Sequence, residues 1–180
     1  LPGGVGPWVH ARAAATPLRL GHQFPRDSLP DRIARRLADA LARLSGGALT
    51  MEVWADATFG DERQHIALLR RGGLDLALTG DLVVGSLEAH WLVVNMPFLY
   101  RDGEHAMAVY DGPIGRDLRA ALGAHGLQVL SWHHVGLRLL TARRAVRGLD
   151  ELQGLRLRLP PDPAWSAVWA WRPVPTSVPT

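Results

Sequence analysis

The residue types best suited to chemistry in this sequence are its arginines. Arg156 and Arg158 alternate with Leu155, Leu157 and Leu159. On an extended segment both guanidinium groups therefore point to one face and the leucines to the other. Arg138 also stands between two leucines, in an earlier segment of the same character. A planar guanidinium held on a rigid strand takes a carboxylate through two parallel hydrogen bonds, a strong and directional interaction. The same alternation also describes the solvated face of an edge strand, so the pattern leaves both readings open. A position beside an expected domain junction favours the binding reading, because small ligands bind in clefts between domains.

Other chemistries find little support. All 20 basic residues are arginine, and there is no cysteine. This excludes a Schiff-base lysine, a Gly-Lys-Ser/Thr phosphate loop, a disulfide, a cysteine nucleophile and a cysteine-type zinc site. The eight histidines form no HExxH, HxH or HxxxH pair. Adjacent His133 and His134 would point to opposite faces of a strand and could not chelate together, so no metal site is expected. Ser131 has no Gly-x-Ser-x-Gly elbow around it. The acids Asp61 and Glu62 read as charges at a helix N-terminus. With no convergent acid/base pair, neither catalysis nor a cofactor is expected. The net charge is only +3, and Arg32, Arg35, Arg36 and Arg43 are interspersed with Asp31 and Asp39. A nucleic-acid partner is therefore not expected.

The elements that must position the arginines follow from periodicity. Hydrophobic residues at 47% and charged residues at 21% describe a globular chain, and 180 residues allow one domain plus part of another. Leu18 to Leu20 reads as a short strand. Ser28 is expected to cap a helix, with Asp31 three residues on as in a capping box. Ile33, Leu37, Leu41 and Leu44 lie on one face of that helix, which Gly46-Gly47 ends. Leu49, Met51 and Val53 alternate with polar residues as a half-buried strand. Gly60-Asp61-Glu62 opens a second helix that Gly72-Gly73 closes, and Leu74 to Thr79 forms a third strand. A brief apolar run over 92–94 ends at Pro97. Helices follow over 103–110 and 114–125, the latter with Ile114, Leu118 and Leu122 in line. Further strands are expected over 127–132, 138–141 and 155–159, then a Trp-rich helix over 164–171. The alternation of strands and helices predicts an α/β domain with a mainly parallel sheet, and the handover to a second domain is expected near Val135-Gly136.

No run approaches the roughly 18–20 apolar residues of a membrane-spanning helix. Residues 1–16 are Gly/Pro/Ala-rich and read either as the remnant of an export signal or as a plain leader. The proline-rich end, RPVPTSVPT, reads as cut off.

The order of these pieces resembles the DctP-type solute-binding proteins of tripartite ATP-independent periplasmic (TRAP) transporters. The matching stretches are Leu18-Arg19-Leu20-Gly21-His22, Ser45-Gly46-Gly47, Phe59-Gly60-Asp61-Glu62-Arg63 and Gly73-Leu74-Asp75-Leu76-Ala77-Leu78. They continue with Met96-Pro97-Phe98-Leu99-Tyr100-Arg101-Asp102, Gly136-Leu137-Arg138 and the run LDELQGLRLRLPP from Leu149 to Pro161. Seven stretches in family order make the resemblance specific over residues 17–161.

The resemblance implies a periplasmic-binding-protein-like (type II) two-lobe α/β fold, with residues 17–135 as the first lobe and 136–180 as the incomplete start of the second. It implies a non-enzymatic periplasmic receptor that closes on a small organic acid and delivers it to the membrane permease of a TRAP transporter. The family's principal carboxylate-clamping arginine falls at Arg158 and a second ligand-contacting arginine at Arg138. Gln23 and Glu62 occupy positions that approach the ligand in some members. The position after Thr79, polar or acidic in some relatives, is Gly80 here, so the identity of the acid does not carry across. Two alternatives stand beside this expectation: a truncated chain that cannot bind, or an arginine-rich interaction module on the same scaffold.

Overall fold

The computed structural model describes residues 17–136, 138–159 and Trp165. The leader over 1–16 and, Trp165 apart, the Trp-rich helix over 164–171 lie outside the described residues. The chain divides into two compact units, with the division between Leu78 and Thr79.

The first unit is a parallel α/β layer. Strands β1 (Leu18–His22), β2 (Met51–Trp54) and β3 (Leu76–Leu78) are separated in sequence by helices α1 (Leu29–Leu44) and α2 (Glu62–Arg70). The sheet order is β2-β1-β3, and both pairings are parallel, as the alternation predicts. Strand β1 runs two residues beyond Leu20, because Gly21 and His22 continue the ladder against β3, opposite Ala77 and Leu78. Gly21 is required there by a close approach: a Cβ on it would lie 2.8 Å from Leu74 Cδ1 and 3.5 Å from His65 Cδ2. On β2 the half-buried Met51 and Val53 alternate with the exposed Glu52 and Trp54, which matches the half-buried strand expected.

Both helices begin where their sequence signals place them, but the caps differ. Asp61 and Gln64 close a full capping box, with Gln64 N donating to Asp61 Oδ1 at 2.9 Å and Asp61 N donating to Gln64 Oε1 at 2.7 Å. Ser28 is the N-cap residue of α1, yet its side chain makes no capping bond. Asp31, expected in that box, turns inward and is fully buried. This rotates the helix: its inward stripe is Asp31, Ala34 and Ala38, while Leu37 and Leu44 of the expected apolar line are 46% and 82% exposed.

The second unit holds α3 (Asp81–Gly85), a 3-10 turn over Ala89–Asn95, α4 (Gly103–Asp111) and α5 (Pro113–Gly123). Val84, Trp91, Val94, Leu118 and Leu122 form its core, with Tyr110, Leu127, Val129 and Trp132 against it. Trp91 donates its indole N–H to Leu118 O at 3.0 Å, and the Trp132 and Tyr110 rings stack at 4.7 Å. Gly115 lets α5 lie directly on the Tyr110 backbone, where any Cβ would collide.

The strands expected over 127–132, 138–141 and 155–159 are not formed: none of these segments has a ladder partner among the described residues. Extended segments without a neighbour still keep their side-chain alternation. Arg156 and Arg158 are exposed while Leu157 between them is buried. No helix among the described residues is long and apolar enough to cross a membrane.

Candidate functional site

In an open parallel sheet the loops that leave the carboxyl ends of the strands are the ones that meet ligands. In the first unit those loops begin after His22 and after Trp54. Gln23 is the first residue beyond β1 and is exposed, and Glu62 is the first residue of α2, half-buried, at the end of the loop that leaves β2. Sequence-predicted residues Gln23 and Glu62 thus belong to loops leaving the same edge of the sheet. The two loops are joined by backbone hydrogen bonds: Asp56 N donates to Phe24 O at 3.0 Å and Ala57 N to His22 O at 3.3 Å. Arg26 N donates to the Asp56 carboxylate at 2.8 Å.

Beneath that edge lies a buried polar cluster that sequence reasoning missed. Asp31 Oδ1 is 3.2 Å from His22 Nε2, and neither side chain is exposed. The other oxygen of Asp31 accepts Asp27 N–H at 2.9 Å and the Arg35 guanidinium Nε–H at 2.9 Å. Burial alone would raise the Asp31 carboxyl, but the Arg35 and Asp27 hydrogen bonds, the Arg35 charge and His22 together outweigh it and hold the group at about 2. Arg35 is raised in turn, chiefly by its hydrogen bond to Asp31. The neighbouring His65 is fully buried, and burial depresses its imidazole, with Asp61 opposing and His22 adding to the shift. The only sequence signal for this cluster was a histidine ending a strand and an acid at the third position of the next helix. That acid also satisfies a capping box, and the simpler reading hid the pairing.

The two sequence-predicted arginines belong to the second unit. Arg158 is exposed and has no hydrogen-bond or ion-pair partner among the described residues. The Arg138 guanidinium sits over the Trp165 ring at 5.1 Å from its centroid, a contact that holds the planar group without consuming its in-plane donors. Between them in sequence, Arg144 and Arg147 fold back on Glu151: Arg144 donates to Glu151 O at 2.7 Å and Arg147 N to the Glu151 carboxylate at 3.1 Å. No group of three or more metal-ligating side chains occurs among the described residues.

The chain with this sheet and these arginines matches, over residues 20–180, the family model described as bacterial extracellular solute-binding protein, family 7 (DctP). The chain belongs to this family.

Among curated relatives, this DctP-family chain is 30% identical over 176 residues to the 2,3-diketo-L-gulonate-binding periplasmic protein YiaO of Escherichia coli, covering 96% of this chain and 54% of that one. Among solved structures, it is similar to the sugar acid binding protein DctPAm of Advenella mimigardefordensis in complex with galactonate. That match has a TM-score of 0.81 and 25% identity and covers 87% of this chain and 51% of the other. A Bradyrhizobium TRAP periplasmic solute-binding protein in complex with galacturonate matches with a TM-score of 0.79 and 28% identity, over 91% and 55% of the two chains. The fold is accordingly that of the two-lobe TRAP periplasmic binding proteins. The chain spans about half the length of the curated relatives it matches.

Proposed function

We propose that this DctP-family chain acts as a non-catalytic extracytoplasmic receptor that captures a small sugar acid in the periplasm and passes it to the membrane permease of a TRAP transporter. Arg158 is the principal partner of the ligand carboxylate, Arg138 the second, and Gln23 and Glu62 approach the ligand from the other lobe. The lobes are residues 17–135 and a second that begins at 136, and capture proceeds by their closure. The observation that carries this reading is the family match over residues 20–180. The acids named with the two solved relatives, galactonate and galacturonate, support a sugar acid as the substrate class. The charge pattern supports it as well: with a net charge of only +3, selection of an anion must rest on placed guanidinium groups rather than on the field of the whole molecule.

The test is calorimetric titration of the chain with galactonate, galacturonate and 2,3-diketo-L-gulonate, with galactose as the uncharged control. Saturable binding of at least one acid and none of galactose is expected. The absence of binding for all three acids, or equal binding of galactose, would overturn the reading.

A further inference from the structure

Of the residues between β1 and α1, Gln23 is the one assigned to ligand, and a short loop can present a side chain reproducibly only if its own backbone is fixed. The backbone on either side of Gln23 is held at several points. His22 O and Phe24 O accept from Ala57 N and Asp56 N, Ser28 N closes a turn onto Pro25 O at 3.2 Å, and Arg32 holds Asp27 O at 2.8 Å. Two further amides, Arg26 N–H and Asp27 N–H, are each taken by a carboxylate, that of Asp56 at 2.8 Å and that of Asp31 at 2.9 Å. Three of the residues involved, Asp27, Asp56 and Ala57, adopt left-handed backbone at φ of 64°, 58° and 53°. Non-glycine residues keep that conformation only where surrounding bonds enforce it.

Asp31 is the innermost of these anchors. It has no exposed surface and holds the loop amide while bonding the last residue of β1 and the guanidinium of Arg35. Folding alone does not require such an arrangement at this position, since an acid here could have closed an ordinary capping box on Ser28. Its bonds run instead to the strand end and to the turn that follows Gln23.

We infer that Asp31, seconded by Asp56, is a positioning residue for ligand recognition: the two carboxylates hold the 22–28 backbone so that Gln23 is presented in a single arrangement at the carboxyl edge of the sheet. The inference rests on the proposed function, which assigns Gln23 to the ligand, and it adds residues that do not themselves touch the ligand.

Two readouts on the 180-residue chain test it. The first is amide hydrogen exchange over residues 23–28 without ligand; the second is galacturonate affinity by calorimetry, made well below the unfolding temperature of each variant. Asp31→Ala should speed exchange at Arg26 and Asp27 and weaken galacturonate on the order of tenfold through lost preorganisation. Asp31→Asn should recover most of the affinity, because the amide oxygen can accept the Asp27 and Arg35 donors while its NH2 faces a His22 tautomer that accepts. Should Asp31→Ala fail to fold, the surface variant Asp56→Ala provides the same comparison, with faster exchange at Arg26 and weaker binding expected. Unchanged exchange in the folded variants would overturn the inference, as would a loosened loop with unchanged affinity. The parent chain's failure to bind any of the three sugar acids would instead overturn the proposed function, and the inference with it.

Discussion

His22 ends the central strand with its Nε2 3.2 Å from Asp31 Oδ1, and both side chains are completely buried. A buried carboxylate without partners would be driven to protonate; this one has three, His22, Asp27 N–H and Arg35, and stays ionised. The first turn of α1 and the carboxyl end of β1 are thereby locked together beneath the loop that carries Gln23.

This pairing sets an acid limb of stability. The Asp31 carboxyl lies at about 2 in the folded chain against an ordinary 3.8. A group whose folded value is depressed contributes stability that is complete above its unfolded value and is lost as pH falls through the folded one. Urea unfolding midpoints should therefore be insensitive to Asp31 titration at pH 5 to 7 and fall between about pH 4 and 2. Asp31→Asn should be less stable than the parent at neutral pH, and the gap should narrow as pH falls towards 2. A gap that is constant with pH would show that the charge does not matter.

Gly21 gives a second, purely steric prediction. Its missing Cβ makes room for Leu74, whose Cδ1 would lie 2.8 Å from an added methyl. Gly21→Ala should lower the unfolding free energy by about 1–3 kcal/mol through overpacking. Leu74→Val on the same background should recover part of that loss, because it relieves the contact that the added methyl creates, and the two effects are not additive. Thermal unfolding of the two single variants and the double variant measures the coupling; strict additivity would show that the backbone shifts instead.

Much of this fold was legible in the sequence because its signals are local. Gly-Gly pairs end α1 and α2, the acids Asp61 and Glu62 mark the start of α2, and the Met51-Val53 alternation marks β2. What was not legible depends on partners distant in sequence. Segments 127–132 and 155–159 have strand composition, yet composition supplies no neighbour for their N–H and C=O groups. The side-chain alternation of Arg156, Leu157 and Arg158 does survive, since it needs only an extended backbone and one apolar surface beneath Leu157. Asp31 was misassigned because two uses of one carboxylate are indistinguishable without the position of His22.

A third prediction concerns the second unit. Glu88 caps the 3-10 turn and lies 2.6 Å from His90 Nδ1 through Oε1 and 3.5 Å from His125 Nε2 through Oε2. The His90 side-chain hydrogen bond, then that of its backbone, holds the Glu88 carboxyl below its ordinary 4.5 against the opposing effect of burial, with His125 assisting. The sign matches that of Asp31: the contribution is present above pH 4.5 and fades below it. Glu88→Gln should lower the thermal midpoint modestly at pH 6 and lose its effect near pH 3. An equal deficit at both values would assign the change to capping alone.

Arg158 offers the most direct test of ligand chemistry. A carboxylate held by a guanidinium gains two parallel charge-assisted hydrogen bonds, and lysine can return the charge but not the fork. Arg158→Ala should therefore weaken galacturonate by about 3 kcal/mol, on the order of 100-fold, and Arg158→Lys should recover only a fraction. Exposed Arg158 has no hydrogen-bond or ion-pair partner among the described residues, so its removal should leave the unfolding midpoint nearly unchanged. That separates lost recognition from lost stability. The carboxylate itself supplies the other side of the cycle: replacing galacturonate by its methyl ester should weaken binding to the parent chain and make little further difference to Arg158→Ala. Equal losses in parent and variant would mean that Arg158 and the carboxylate act independently, and the clamp would have to be sought at Arg138, where the Trp165 ring already holds the guanidinium in place.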